Sequence, residues 1–354
     1  MSKQWLDIVQ ADGAHPLSLA DSMSDLEVYS NATVVQLTDM SPLAIYEVTG
    51  ADASSFLQGQ FCNNLAMATP TQAQITGYCT PKGRLLALPV ILGFDGGYRL
   101  LVPHEVAEGF IKRLTMFIMR SDVAVKRLDD WVALGVTAES DNLAGPVADL
   151  LGALPEGVMS MSTEQNSQLV RWHDCYASGR PRARYLRIAP VEQQLTFWRA
   201  CEECSRQSSY AWRLADISAG IPSITQGVVE SFVPQMVNLQ LINGLSFTKG
   251  CYPGQEIVAR MQYLGKLKRH MRIFRTKLAS QDDDINELLN PGTELSAGSD
   301  SNAGVIVDAM PLSSSEALIL AVTKVTANDE GFSLGAMALE AFDMPYELPS
   351  LNVA

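Results

Sequence analysis

Asn243-Gly244-Leu245-Ser246-Phe247-Thr248-Lys249-Gly250-Cys251-Tyr252-Pro253-Gly254-Gln255-Glu256-Ile257-Val258-Ala259-Arg260 is the most informative stretch of the 354-residue chain. Two glycines and a proline bracket a single cysteine, Cys251, in what reads as a tight loop. Gln255 to Met261 are good helix formers, so a helix is expected to start just after Gly254. Its N-terminus would present free N–H groups and partial positive charge to the loop, and Lys249 adds a full charge. Such surroundings favour the thiolate of Cys251 and suit an anionic ligand group. The same residues also describe a plain structural turn, with the cysteine buried and the glycines serving only the backbone.

The composition bounds what such a loop can serve. The length allows two or three packed units with real cores. The chain is 47% apolar and 18% charged, which is ordinary for a globular protein. A formal charge of −13 argues against nucleic-acid binding as the main task. The N-terminal residues lack a basic region followed by an apolar run, so no secretory signal is read. No apolar stretch has the length of a membrane span. Six cysteines in so long a chain make no disulfide framework. Reduced thiols and a cytoplasmic location are expected.

Residues 1–30 are polar and read as a tail or accessory helix. Ala44–Val48 suits a strand, and Asp52 can cap a short helix that buries Phe56 and Leu57. Gln74–Tyr78 and Arg84–Leu92 flank the turn Thr80-Pro81-Lys82-Gly83, and Tyr98–Val102 is a further strand. Val106, Phe110, Leu114 and Phe117 recur at helical spacing from a start near His104. Trp131–Val136 is strand-like and Gly145–Leu151 helical. Gln168–Trp172 and Arg184–Ile188 form a hairpin around Gly179-Arg180-Pro181. A helix is expected from Val191 to about Arg206, with Leu195 and Trp198 inward. Strands alternating with helices imply an α/β sandwich rather than a bundle. Beyond Lys266, short β-prone segments punctuated by Pro291-Gly292, Gly298, Gly304 and Pro311 predict a small β-barrel from Arg272 to about Phe342, with Gln281–Asp284 as a solvated loop.

Lys249-Gly250-Cys251-Tyr252-Pro253-Gly254-Gln255-Glu256 resembles the K-G-C-[FY]-x-G-Q-E signature of the YgfZ family, within the glycine-cleavage T-protein superfamily. Four further blocks, in the family's order, support the resemblance. They are Val48–Ala53 with Phe56–Gln60, then Lys82-Gly83-Arg84, Trp212–Pro222, and Phe232–Gln240. Together they cover roughly Ala44 to His270. The resemblance implies an α+β fold, a T-protein-like ring. Two interleaved α/β units with antiparallel sheets would fill residues 31–265, and a C-terminal β-barrel would occupy 266–354. It implies tetrahydrofolate or another reduced folate in the central hole. It also implies a role in assembling or repairing iron–sulfur clusters, including those of tRNA-modifying enzymes, with iron–sulfur enzymes or assembly proteins as partners.

The resemblance makes Cys251 the reactive thiol and places Lys249, Tyr252, Gln255 and Glu256 with the cofactor. Trp212 falls where the family sets a folate-contacting tryptophan. The family's other such tryptophan falls at about Leu43 here, which leaves Tyr46 as the candidate for that face. Gln235 and Asn238 read equally as acceptors for the pterin edge or as caps of a loop. Lys82, Arg84, Lys249 and Arg260 are candidate cations for the glutamate tail, or ordinary surface charges. Glu256 at a helix start is stabilised there in any case. Arg260, Lys266, Lys268, Arg269, Arg272, Arg275 and Lys277 form the one concentrated basic stretch. It is either a site for RNA or an acidic partner, or the solvated face of a connector and first barrel strand.

Cys201-Glu202-Glu203-Cys204 is a CxxC expected late in a helix, without a second ligand pair for a metal. Cys62, Cys79 and Cys175 stand isolated in the sequence and read as structural. His15, His104, His173 and His270 have no metal-ligand spacing, and no metal site is expected. Two other functions are weighed against the folate reading. One is a cofactor-free thiol scaffold using Cys251. The other is an aminomethyltransferase, which needs an aspartate a few residues past Gly83. That region holds Leu86 and Ala87, and no carboxylate occurs before Gly93.

Overall fold

The computed structural model describes residues 2–14, 35–139, 143, 146–176, 180–263, 265, 267–278, 285–327 and 331–348. His15, Gly145, Gly179, Lys266 and the Gln281–Asp284 run lie outside them. The chain divides into two units that alternate along the sequence. The first comprises Met1–Phe56, Leu65–Gln74 and Val90–Ala215; the second comprises Leu57–Asn64, Ile75–Pro89 and Asp216–Ala354.

The first unit is built on two sheets. One runs in the order Met161–Glu164, Ser167–Cys175, Arg182–Pro190, Trp131–Ala138, Gln36–Asp39, Ser205–Gln207. All its pairings are antiparallel except the last. The other sheet is centred on Gly97–Pro103, which pairs with Val90–Phe94 on one side and Leu43–Thr49 on the other. Trp131–Ala138 is buried along nearly its whole length because both its faces are covered. Val132, Leu134, Val136 and Ala138 share one face with Trp5, Leu195 and Trp198 in a single core cluster.

The polar N-terminal segment contributes to that cluster. Lys3–Ala11 is a helix that buries only Trp5 and Val9. Trp5 Nε1 donates to Asp39 Oδ1 at 2.8 Å, and its ring meets Trp198 edge-on at 5.5 Å. Trp198 Nε1 donates to Asp12 Oδ2 at 2.6 Å. Each indole thus buries its ring while its one donor is satisfied.

The second unit holds the short hairpin of Tyr78–Cys79 and Leu85–Ala87, the helix Gln255–Tyr263 and a closed six-stranded barrel. The barrel runs from Arg269 to Phe342. Phe274, Leu295, Ile306 and Ile319 fill its interior. Its long strand Asp300–Ser313 bends at two register shifts, Ile306/Asp308 and Pro311/Ser313, which let one strand wrap the closure.

Four local expectations are corrected. The helix from Val191 stops at Ala200, because Cys201 leaves helical geometry (φ −94, ψ 56) and Ser205–Gln207 joins the sheet beside Gln36–Asp39. Phe117 lies beyond the helix His104–Thr115 and is 44% exposed. The Asp52 carboxylate accepts the Asp122 N–H at 2.8 Å instead of capping its own helix. The expected strand Arg84–Leu92 is broken at Pro89, which has no N–H to give a ladder.

Candidate functional site

The Lys249–Glu256 loop belongs to the second unit and is clamped there to segments distant in sequence. On one side lies the stretch from Leu57 to Asn64. Asn63 Nδ2 donates to Asn243 O at 2.7 Å, and Ser246 N donates to Cys62 O at 3.1 Å. Lys249 Nζ donates to the carbonyls of Gln58 and Phe61. Gln58 ends the helix Ala53–Gln58 and Phe61 lies three residues on, so the ammonium ties both carbonyls to the loop. Lys249 is therefore not a surface cation: it is 8% exposed, and burial lowers its pKa to about 8, opposed by the Cys62 and Cys251 sulfurs. Its Nζ lies 5.1 Å from the centroid of the Tyr252 ring. Tyr252 is buried, which raises its phenol pKa.

The other side of the loop rests on the turn Thr80–Gly83. Gly254 has φ +83, and a Cβ there would lie 2.5 Å from both Gly83 Cα and Thr80 O. Only glycine fits that conformation at that separation. Gly83, at φ +71, faces Ile257 across the same contact. Gly250 is different: a Cβ there meets nothing within 4 Å. Next to it Cys251 is exposed, whereas the other five cysteines are buried. The helix begins at Gln255 as expected, and Gln255 Nε2 reaches back to Lys249 O at 3.5 Å. Glu256 and Arg260 are exposed along it.

Gln235 and Asn238 sit behind this helix, 3% and 1% exposed. Gln235 Nε2 donates to Val258 O at 2.6 Å, and Asn238 Nδ2 donates to Met271 O at 2.9 Å and to Tyr346 Oη at 3.3 Å. Their amide oxygens, Gln235 Oε1 and Asn238 Oδ1, are buried without a partner among the described residues. Tyr346 Oη donates in turn to Gly220 O at 2.8 Å. Arg84 donates to Ser231 O at 2.6 Å, while Lys82 is exposed.

Trp212 and Tyr46 belong to the first unit. Trp212 is 3% exposed; its ring lies against Gly135, where a Cβ would come within 2.4 Å of it. The Arg184 guanidinium stands 4.7 Å from the ring centroid, and Trp172 lies 6.1 Å away. Tyr46 is buried on Leu43–Thr49, directly across from Arg127, and burial raises its pKa.

In the basic stretch, Arg269 bonds Asn302 and Arg275 pairs with Glu316, while Lys268 and Lys277 are exposed. Cys201 and Cys204 sit on the turn after their helix, inside the first unit's core, with thiols in hydrogen-bonding reach. Cys62 and Cys79, isolated in sequence, also touch. Their positions flanking two family blocks were the available signal. Among the described residues no group of three or more His, Cys, Asp or Glu is placed to hold a metal ion, and no helix is long and apolar enough to cross a membrane.

Superposition on solved structures identifies the architecture. Aminomethyltransferase T of the glycine cleavage system from Bartonella henselae matches with a TM-score of 0.70 over 96% of this chain and 95% of its own. The molecule therefore has the glycine-cleavage T-protein fold; at 12% identity the likeness reaches no further than the fold. No family model matches the sequence. Three curated relatives, each called tRNA-modifying protein YgfZ, do match. That of Colwellia psychrerythraea is 30% identical, covering 71% of this chain and 75% of the relative. That of Klebsiella pneumoniae is 30% identical, covering 66% and 69%. That of Edwardsiella ictaluri is 31% identical, covering 78% and 84%. The chain belongs to the YgfZ family.

Proposed function

We propose that the protein binds a reduced folate and supports the assembly or repair of iron–sulfur clusters, including those of tRNA-modifying enzymes, in the cytoplasm. The observation that carries the folate half is the pair of buried amide oxygens, Gln235 Oε1 and Asn238 Oδ1, left without partners among the described residues while their NH2 groups are anchored. An unpaired buried acceptor is costly, and a pterin edge supplies the N–H donors that would relieve it. The residues present therefore fit the cofactor. Trp212 and Tyr46 enter through the family resemblance, and Arg84 and Lys249 are engaged with backbone carbonyls of their own unit.

The cluster half rests on Cys251, which the loop holds in solvent while every other cysteine is buried. An exposed thiol beside an open glycine is accessible to a partner protein. Aminomethyl transfer is not part of the proposal. Leu86 and Ala87 occupy the strand after the Thr80–Gly83 turn, and neither can accept a proton or balance a cation.

Calorimetric titration with tetrahydrofolate tests the first half. Saturable binding is expected, weakened about 2- to 10-fold in Gln235→Ala, the worth of one hydrogen bond. No saturable heat with the wild-type protein would sink it. For the second half, Cys251→Ala is expected to stay folded and to fail to restore iron–sulfur enzyme activity in a deletion strain. Full restoration would make the thiol a bystander.

A further inference from the structure

We propose that Cys62 and Cys79 form a redox-active dithiol beneath the Lys249 anchor, closed to a disulfide by a small peroxide, and that closure alters the reactivity of Cys251. Phe61 and Tyr78 form an antiparallel bridge, and Cys62 N donates to Gly77 O at 2.9 Å. Cys62 therefore stands opposite Gly77, and Cys79, two residues on, points to the same face. They are diagonal neighbours, close enough for side chains to meet. The residue between them is a glycine; a Cβ there would lie 2.8 Å from Cys62 Sγ. With that space empty, the two thiols come within hydrogen-bonding reach of each other.

The surroundings divide the labour between the sulfurs. Cys62 Sγ accepts the Gly77 N–H at 3.1 Å and lies 3.6 Å from Gly244 O. Burial alone would raise its pKa. The hydrogen bond from Cys79, the Gly77 N–H, the Thr76 hydroxyl and the Lys249 ammonium together bring it below the ordinary value. Cys79, the donor to that sulfur, is raised. Cys62 is thus the nucleophile and Cys79 the resolving thiol. The Cys62 sulfur attacks one peroxide oxygen, the O–O bond breaks, and one water leaves. The Cys79 sulfur then displaces the sulfenic hydroxyl as a second water. Two thiols and one peroxide yield one disulfide and two waters.

Drawing Cys62 toward Cys79 takes its sulfur from the Gly77 and Gly244 contacts. It also shifts Phe61, whose carbonyl receives the Lys249 ammonium two residues before Cys251. The loop that carries the exposed thiol is therefore mechanically linked to the buried pair.

The test treats the purified full chain with hydrogen peroxide, blocks free thiols with N-ethylmaleimide after denaturation, and maps peptides by mass spectrometry. A cross-linked peptide joining Cys62 to Cys79 is expected. It is reversed by dithiothreitol and absent from Cys79→Ser. Separately, the rate of Cys251 alkylation by N-ethylmaleimide in the folded protein is expected to change at least about twofold after oxidation and to recover on reduction. Recovery of both Cys62 and Cys79 as alkylated thiols overturns the proposal. So does a disulfide confined to Cys201–Cys204, or one joining Cys251 to a partner. An unchanged Cys251 rate in the cross-linked protein overturns the linkage to the loop.

Discussion

Replacing Lys249 with methionine separates two roles that a signature lysine can have. A cation waiting at the surface for an anionic tail would be removed at almost no cost to folding, within about 0.5 kcal/mol. The observed lysine is 8% exposed, with its ammonium on the Gln58 and Phe61 carbonyls. Methionine keeps most of the aliphatic stem and removes both hydrogen bonds. At roughly 1.5–3 kcal/mol for each hydrogen bond from a charged donor, less the cost of burying the ammonium, a loss of about 2–4 kcal/mol is expected. For a unit of this size that is a fall in Tm of roughly 5–15 °C, read by differential scanning calorimetry.

The pH dependence provides a second signature. Lys249 has a folded pKa of about 8 against an ordinary 10.5, so between those values the unfolded chain binds more protons than the native one. Stability therefore rises with pH across that window and is flat below it as far as this group is concerned. The difference corresponds to roughly 3 kcal/mol at most, from 1.36 kcal/mol per pKa unit. Wild type should gain on Lys249→Met between pH 8 and 10. Lys249→Arg should show no such gain, since a guanidinium does not titrate there. A Tm for Lys249→Met within about 1 °C of wild type, or pH curves for the two that run parallel, would refute the buried-anchor assignment.

Two further perturbations follow from the same geometry. Gly254→Ala should cost about 2–4 kcal/mol, because its Cβ would collide with the Thr80–Gly83 backbone at a positive φ, whereas Gly250→Ala should leave thermal stability unchanged or raise it by about 0.4–1 kcal/mol. Equal melting temperatures for the two variants would contradict this. His270 is 5% exposed, both its ring nitrogens lack a partner among the described residues, and burial followed by Arg272 lowers its pKa to about 4. The unfolded chain then binds the extra proton between about 6.5 and 4, so stability falls as pH falls through that range, and His270→Leu should flatten this limb of the acid unfolding curve by up to roughly 3 kcal/mol at pH 4.

The parts of the fold that the sequence disclosed are those with a repeating local signal. Trp131–Ala138, Ser167–Cys175 and the barrel strands announce themselves by runs of apolar residues between turn formers, and the helix after Gly254 by its punctuation. Ser205–Gln207 has no such signal: three residues, two of them only half-buried, become a strand because Gln36–Asp39 offers an open parallel edge. The N-terminal segment read as either a tail or an accessory helix; it is a helix over Lys3–Ala11, and two anchors, Trp5 and Val9, carry its docking, too few to decide between the two from its polar composition.

At the site the same division holds. The octapeptide identified the loop, but which of its residues serve the backbone and which face solvent depends on neighbours far off in sequence. Gly254 is demanded by Gly83, 171 positions earlier, and Lys249 by Gln58 and Phe61. Three separate blocks therefore meet around this loop: the first supplies carbonyls, the second a glycine turn, and the Gln235 block a donor to Val258 O. What these contacts leave unexplained within the chain is Gly250, where no neighbour limits a side chain, and Cys251, which none of them covers. The loop is held at its ends by contacts of its own unit while Gly250 and Cys251 stay open, which is the arrangement that the proposed partner contact at Cys251 requires.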